Sequence, residues 1–233
     1  MASPFRNLKS AFRRLIGAKT VTLDGVTVST DPAVVSRQVR SGIFKETYEE
    51  PERILIREGL RPGDRVLEIG GGVGFVSLLC ARIVGADNVL TYEANPAMHK
   101  VIRANYALNG LEPRLRGRAL TAHGGDVTFF VNDNIISSSV YQREGGRAVT
   151  VPSDAIDAAL AEWRPTALVM DVEGAEVDIL TASALPGLKR IVLELHPHVV
   201  GPEAVARLRA HLSGLGFHEA RAVQKSSLFS RGG

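Results

Sequence analysis

The segment that most constrains this chain runs Leu67-Glu68-Ile69-Gly70-Gly71-Gly72-Val73-Gly74-Phe75. A short apolar run, a cluster of glycines and an apolar helical pattern over 75–84 read as strand, tight loop and helix. Glycine lets the loop turn sharply and lets its backbone approach a ligand. The helix start offers free N–H groups to polar or anionic ligand atoms.

Downstream, strand and helix patterns alternate. Strands are predicted at 65–69, 88–92, 114–120, 167–170 and 190–195. Helices are predicted at 75–84, from Pro96, after Ser153, near 174–182 and over 203–213. Strands separated by helices imply an α/β fold, a doubly wound and mostly parallel sheet covered on both faces. GFHEARAV and SSLFS predict a closing terminal antiparallel hairpin, and 127–131 with 148–152 predict extra strands around a polar loop. Upstream, VTLDGVTVS predicts a hairpin turning at Asp24-Gly25. Asp31-Pro32 and Pro51 each predict a helix start, the second helix running to about Leu60. At 233 residues the chain suits one α/β domain. It divides into an N-terminal helical and hairpin extension, 1–50, and a domain, 51–233.

The ligand of the glycine loop follows from its spacing. A dinucleotide loop needs Gly-x-Gly-x-x-Gly; counted from Gly70 or from Gly72, the third glycine falls on Phe75 or Ser77. No lysine stands where a P-loop requires one. The spacing present is Gly-x-Gly-x-Gly (Gly70, Gly72, Gly74), with Glu68 before it. Glu93 follows the second strand, where a carboxylate accepts hydrogen bonds from two ribose hydroxyls. Together these features favour S-adenosylmethionine (SAM) over NAD.

Charge adds a second theme. Lys and Arg number 28 against 25 Asp and Glu, for a net +3. Arg6, Lys9, Arg13, Arg14 and Lys19 precede any acid, so the body is near neutral and no nucleic-acid channel is indicated. Phe5, Leu8, Phe12, Leu15 and Ile16 recur at helical spacing among those bases. That pattern suits a short helix packed on the domain with its Lys and Arg in solvent; an organellar presequence or a membrane-surface helix fits it too. No apolar run is long enough for a transmembrane segment. The single Cys80 fits a reducing, cytoplasmic setting.

Two later segments carry a resemblance. Asp171-Val172-Glu173-Gly174-Ala175-Glu176 ends the fourth strand, and Glu194 and His196 end the fifth. With LEIGGGVGFVS and the upstream Tyr48-Glu49-Glu50, the chain resembles the FkbM-type SAM-dependent methyltransferases over roughly residues 44–200. The resemblance implies a class I methyltransferase (Rossmann-like) fold with a seven-stranded sheet. It implies SAM along Glu68, Gly70, Gly72 and Gly74, the ribose on Glu93, and Ala94 and Asn95 flanking the adenosine. One departure is Gly-Gly-Gly where the family often has Gly-Ala-Asn.

Methyl transfer needs the acceptor held in line with an activated methyl. A hydroxyl acceptor also gains from a general base. Asp171, Glu173 and His196 are the expected catalytic residues, with His196 as base and Asp171 orienting the acceptor or holding the SAM amino group. The same three could instead bind a divalent metal, although no firm metal signature is present. Glu176 reads as a helix-start acid favoured by the helix dipole. Tyr48, Ser138 and Tyr141 are expected at the acceptor, the last two from the polar loop 132–146. The segment after the fourth strand lacks Asn/Asp-Pro-Pro-Tyr, which argues for oxygen over nitrogen. The expected reaction is O-methylation of a small-molecule hydroxyl on a glycan or polyketide-like metabolite. The alternatives are a non-catalytic SAM-binding protein, a nucleic-acid methyltransferase using the basic N-terminus, and an NAD-dependent oxidoreductase.

Overall fold

A computed structural model describes residues 4–131, 138–139 and 147–232. The chain begins with helix α1 (Pro4–Leu15) and the hairpin β1 (Thr20–Leu23) and β2 (Val26–Ser29), which turns at Asp24-Gly25 as expected. Helices α2 (Arg37–Lys45) and α3 (Glu50–Gly59) lead into β3 (Val66–Ile69) and α4 (Phe75–Val84). Next come β4 (Val89–Tyr92), α5 (Pro96–Ala107), β5 (Arg114–Arg116), β6 (Ala119–Thr121), β7 (Gly125–Val131), β8 (Ser138–Ser139) and β9 (Arg147–Ala155). The last part holds α6 (Ile156–Trp163), β10 (Ala167–Met170), α7 (Glu176–Thr181), β11 (Arg190–Glu194), α8 (Pro197–Val200), α9 (Pro202–Gly214), β12 (His218–Val223) and β13 (Ser226–Ser230).

Seven strands form the main sheet in the order β12-β13-β11-β10-β3-β4-β5. The five from β11 to β5 are mutually parallel, and the β12–β13 hairpin closes one edge antiparallel. Strand side chains alternate between faces, so each strand feeds two cores. Val66, Val89, Val169 and Val192 join one apolar cluster with α3, α4, α5 and the β1–β2 hairpin. Leu67, Leu90, Leu168 and Ile191 join the other, beneath α6, α7 and α9. Chain direction across the sheet reverses between β3 and β10. The crevice beyond the carboxyl ends at such a point is where open α/β sheets bind ligands.

Three expectations change. The strand predicted over 114–120 is two: β5 pairs with β4, while β6 pairs with β9 in a second, four-stranded sheet of order β6-β9-β7-β8. Gly117 sits at the break, and a Cβ there would lie 2.5 Å from the His99 ring. The helix expected at Asp31-Pro32 starts later, at Arg37, where Ser36 caps it by accepting from the Val39 N–H. Asp31 instead closes turns onto Ala33, Val34 and Val35, and the β-branched Val34-Val35 pair disfavours helix there.

The third concerns α1, which packs with its bases inward. Arg6 bonds Glu50 at 3.0 Å, Lys9 bonds Glu46 at 3.1 Å, and Arg13 bonds Glu46 and the Phe44 carbonyl, each at 2.8 Å. The apolar stripe faces solvent, with Leu8 68% and Phe12 59% exposed. The two glutamates set the helix's rotation, a long-range pairing that no local pattern reveals.

Candidate functional site

The cleft at the reversal point has its floor on β3, β4 and β10 and its roof on the second sheet. Gly70, Gly72, Glu93 and Asp171 line the floor, and Leu120 and Phe129 the roof.

The glycine loop is fixed by sterics and by one carboxylate. Gly70 has φ +93°, and a Cβ there would stand 1.9 Å from the Asp171 carbonyl oxygen, so glycine lets the loop lie against the end of β10. Gly72 has φ +51° with open space around it. Its N–H donates to Glu93 Oε2 at 2.8 Å, and the Asn95 N–H donates to Oε1 at 2.7 Å. Glu93 thus ties the loop to β4 while lining the cleft, and each oxygen keeps a lone pair for a further donor. Burial pushes its carboxyl up to about 7, against the pull of these backbone bonds. Ala94 lines the cleft as expected. Asn95 is used by the helix: its side chain caps α5 by accepting from the Ala97 N–H at 3.1 Å.

Glu68 lies on β3 directly across from Thr91, whose hydroxyl donates to its Oε2 at 2.7 Å. The side chain is 1% exposed, and burial raises its carboxyl to about 8. Among the described residues, three buried side-chain polar atoms lack a hydrogen-bond partner: Arg40 Nε, Glu68 Oε1 and Asp171 Oδ1. The last two belong to residues of the cleft wall, with Asp171 Oδ1 turned back towards His196. The wall carries the carboxyls of Glu49, Glu68, Glu93, Asp171 and Glu173, an acidic, acceptor-rich lining that fits a ligand bringing N–H or O–H donors and positive charge. SAM has an ammonium, a sulfonium and ribose hydroxyls, so the residues present fit it.

At the end of β10 the structure assembles a chain of groups. Asp171 opens to the cleft through a side chain 36% exposed. Behind it lies His196, 4% exposed, with Nε2 3.7 Å from Asp171 Oδ1 and 3.7 Å from Glu194 Oε1. Its Nδ1 is 2.9 Å from Oε1 of Glu176, which is 1% exposed and also accepts from the Val172 N–H. Burial alone would lower the His196 pKa, but the Glu176 hydrogen bond and the charges of Glu176, Asp171 and Glu194 outweigh it and raise it to about 9. Burial, then Glu194 and Glu49, hold the Asp171 carboxyl well above the usual range, against the pull of His196.

Two expectations take a different form. His196 is set behind the cleft wall, and the raised pKa that its acidic neighbours give it works against the neutral imidazole a base needs. Glu176 is more than a helix-start acid, because it orients His196. Helical spacing hid this, since Glu176 must reach the turn between β11 and α8. Glu173 does line the cleft beside Asp171, with φ 54°. Asp171, Glu176 and His196 also offer three ligand atoms within 4.8 Å of one another, with Glu176 in the place expected for Glu173. Such a donor set is able to hold a divalent cation.

Tyr48 lines the cleft, with its ring edge-on to Phe75 at 5.8 Å. Glu49, at φ 47°, sits beside it, its carboxyl raised by burial and by Glu52 and Glu194. Ser138 falls in β8, opposite Val131, which puts its backbone on the second sheet. Tyr141 lies outside the described residues.

A family model described as the methyltransferase FkbM domain matches residues 68–219, the stretch that holds the glycine loop, Glu93, Asp171 and His196. The chain belongs to this family. Among solved structures it is similar to a methyltransferase from Pyrococcus furiosus, at 14% identity and TM-score 0.51, covering 99% of this chain and 100% of that one. It is also similar to the magnesium protoporphyrin IX methyltransferase of Synechocystis PCC 6803 solved with bound SAM, at 16% identity and TM-score 0.50, covering 84% and 85%. These likenesses show the class I methyltransferase fold. A curated relative, the protein-L-isoaspartate O-methyltransferase of Methylorubrum extorquens, is 42% identical over 57 residues, which is 24% of either chain. The chain thus spans about a quarter or less of the length of the curated relatives it matches. The FkbM methyltransferases are SAM-dependent, and the expected cofactor stands with the family.

Proposed function

We propose that this FkbM-family protein O-methylates a hydroxyl of a small molecule, a glycan or polyketide-like metabolite, within a methyltransferase domain of residues 51–233 and in a cytoplasmic setting. The observation that carries the reading is Asp171: a carboxylate at the end of β10, open to the cleft, with its buried Oδ1 turned back towards His196 and Glu176 behind that histidine. Bound SAM supplies a methyl group already activated on a sulfonium.

The chain's own residues do the rest. Glu93 accepts from ribose hydroxyls, and Glu68 faces the cationic end of the ligand. Burial, and then the neighbouring acids, push the Asp171 carboxyl upward. A cation entering the cleft offsets those acids and lowers the Asp171 pKa, which readies it to take the acceptor's proton. His196 is a positioning residue whose charge steadies the Asp171 carboxylate. Tyr48, Glu173 and the second sheet surround the acceptor, with Ser138 and Tyr141 as its further contacts.

The test is S-adenosylhomocysteine release from SAM across a panel of hydroxylated and aminated acceptors. Turnover on hydroxyls that Asp171→Asn abolishes, with SAM affinity retained, supports the reading; turnover on amines alone refutes it. Activity rises with pH as Asp171 loses its proton and falls above about pH 9 as His196 loses its charge. His196→Gln should remove the upper limb, whereas a purely structural histidine would lower activity equally at every pH.

A further inference from the structure

Large apolar side chains are exposed at six positions among the described residues, and five of them follow one another along α1 and its last turn: Phe5, Leu8, Phe12, Leu15 and Ile16. Their spacing makes one stripe, and the inward pairing of Arg6, Lys9 and Arg13 turns that stripe to water. The ion pairs holding α1 are partly exposed, with side chains 18–39% accessible at the bases. Pairs of that kind contribute only about 0.2–1 kcal/mol each. A helix of 12 residues is marginal on its own. Such a helix is anchored from beneath and left without an apolar partner above.

The charge around it favours one kind of partner. Arg14, Lys19 and Arg37 are exposed, and Lys45 is half-exposed. Among the described residues, none of the four has a carboxylate within ion-pairing distance. Neither α1 nor α2, the helix α1 packs on, contains an acid. Glu46 and Glu50 are taken up by the inward bases, and Asp24 by Arg53 and Arg57. A second copy docking through the same face would set these unpaired cations against their own counterparts. An anionic bilayer surface offers them phosphates and offers the stripe hydrocarbon.

We infer that α1 is an interfacial helix that seats the protein on anionic lipid bilayers, with Phe5, Leu8, Phe12, Leu15 and Ile16 buried at the headgroup boundary and Arg14, Lys19, Arg37 and Lys45 against lipid phosphates. No helix among the described residues is long and apolar enough to cross a membrane, so this docking is peripheral and reversible. It is independent of the chemistry proposed for the cleft.

The experiment is co-sedimentation of the full chain with vesicles of phosphatidylcholine alone and of phosphatidylcholine with phosphatidylglycerol. The expected result is binding to the anionic vesicles only, weakening as salt is added. The double variant Leu8→Asp/Phe12→Asp should lower the partition coefficient at least about tenfold. Both side chains are exposed, so its thermal melt should match that of the unaltered protein. Arg37→Glu should weaken binding without touching the stripe. Absence of vesicle binding overturns the proposal, as does binding that ignores lipid charge or survives the double variant. Concentration-dependent dimerisation lost in the double variant, without vesicle binding, also overturns it and assigns the stripe to a second copy.

Discussion

Replacing Glu68 with glutamine separates what the cleft costs the fold from what it offers a ligand. Glu68 is buried between β3 and α4, accepts one hydroxyl from Thr91, and has a second oxygen without a partner. Burial raises its carboxyl from 4.5 to about 8. For an acid raised in the folded state, the native chain binds more protons than the unfolded chain between those two values. Its contribution to stability is therefore complete below pH 4.5 and is lost as pH rises through about 8. At about 1.4 kcal/mol per pH unit, the gap is worth about 5 kcal/mol. Glutamine keeps an acceptor for Thr91 and carries no charge, so Glu68→Gln should have no such loss. Thermal unfolding of both proteins from about pH 5 to about pH 9 reads the difference directly. The melting points should nearly coincide at the acid end, and the variant should lead by about 10 °C or more at the alkaline end. SAM affinity should fall in the same variant, because a carboxyl able to ionise beside a cationic ligand is replaced by a neutral amide. Parallel melting curves would refute the burial argument, and unchanged SAM affinity would remove Glu68 from the ligand site.

Gly70→Ala places a methyl group 1.9 Å from the Asp171 carbonyl at a backbone φ of +93°. It should destabilise by about 3–5 kcal/mol in chemical denaturation. Gly72→Ala meets open space and should cost only about 1–2 kcal/mol from its backbone angle; equal losses at the two positions would mean the Gly70 contact is not limiting. Glu93→Ala frees two backbone N–H groups and deletes the ribose acceptor. It should lower stability by about 2–4 kcal/mol and weaken SAM binding more than about tenfold in calorimetry. Retained affinity would leave Glu93 as a loop tie alone.

The sheet was legible because its rules are local and periodic. Alternation in RVLEI, ALVM and RIVLEL fills both cores, and the glycine spacing specifies a loop whose geometry Gly70 and Gly72 bear out. The Asp24-Gly25 hairpin announced itself by its turn residues. Relations between distant segments were hidden. Nothing near Glu176 says that it meets His196 on another element, nor that the surrounding acids raise the His196 pKa. Glu46 and Glu50 lie beyond the hairpin from α1, so the inversion of that helix is invisible to a pattern read along α1 itself. The break at Gly117 was concealed because residues on either side keep a strand-like composition while belonging to different sheets.

That break has an evolutionary consequence. The described strands β6, β7, β8 and β9 leave the main sheet after β5, and the chain rejoins it at β10, so the roof residues Arg118 to Phe129 come from one stretch of chain, while the floor is gathered from β3, β4 and β10. A contiguous roof on a dispersed floor can be exchanged as a cassette. Relatives are then free to change what they methylate by rewriting that stretch, and a designer could transplant it between family members while the glycine loop, Glu93 and the Asp171–His196–Glu176 stack stay in place.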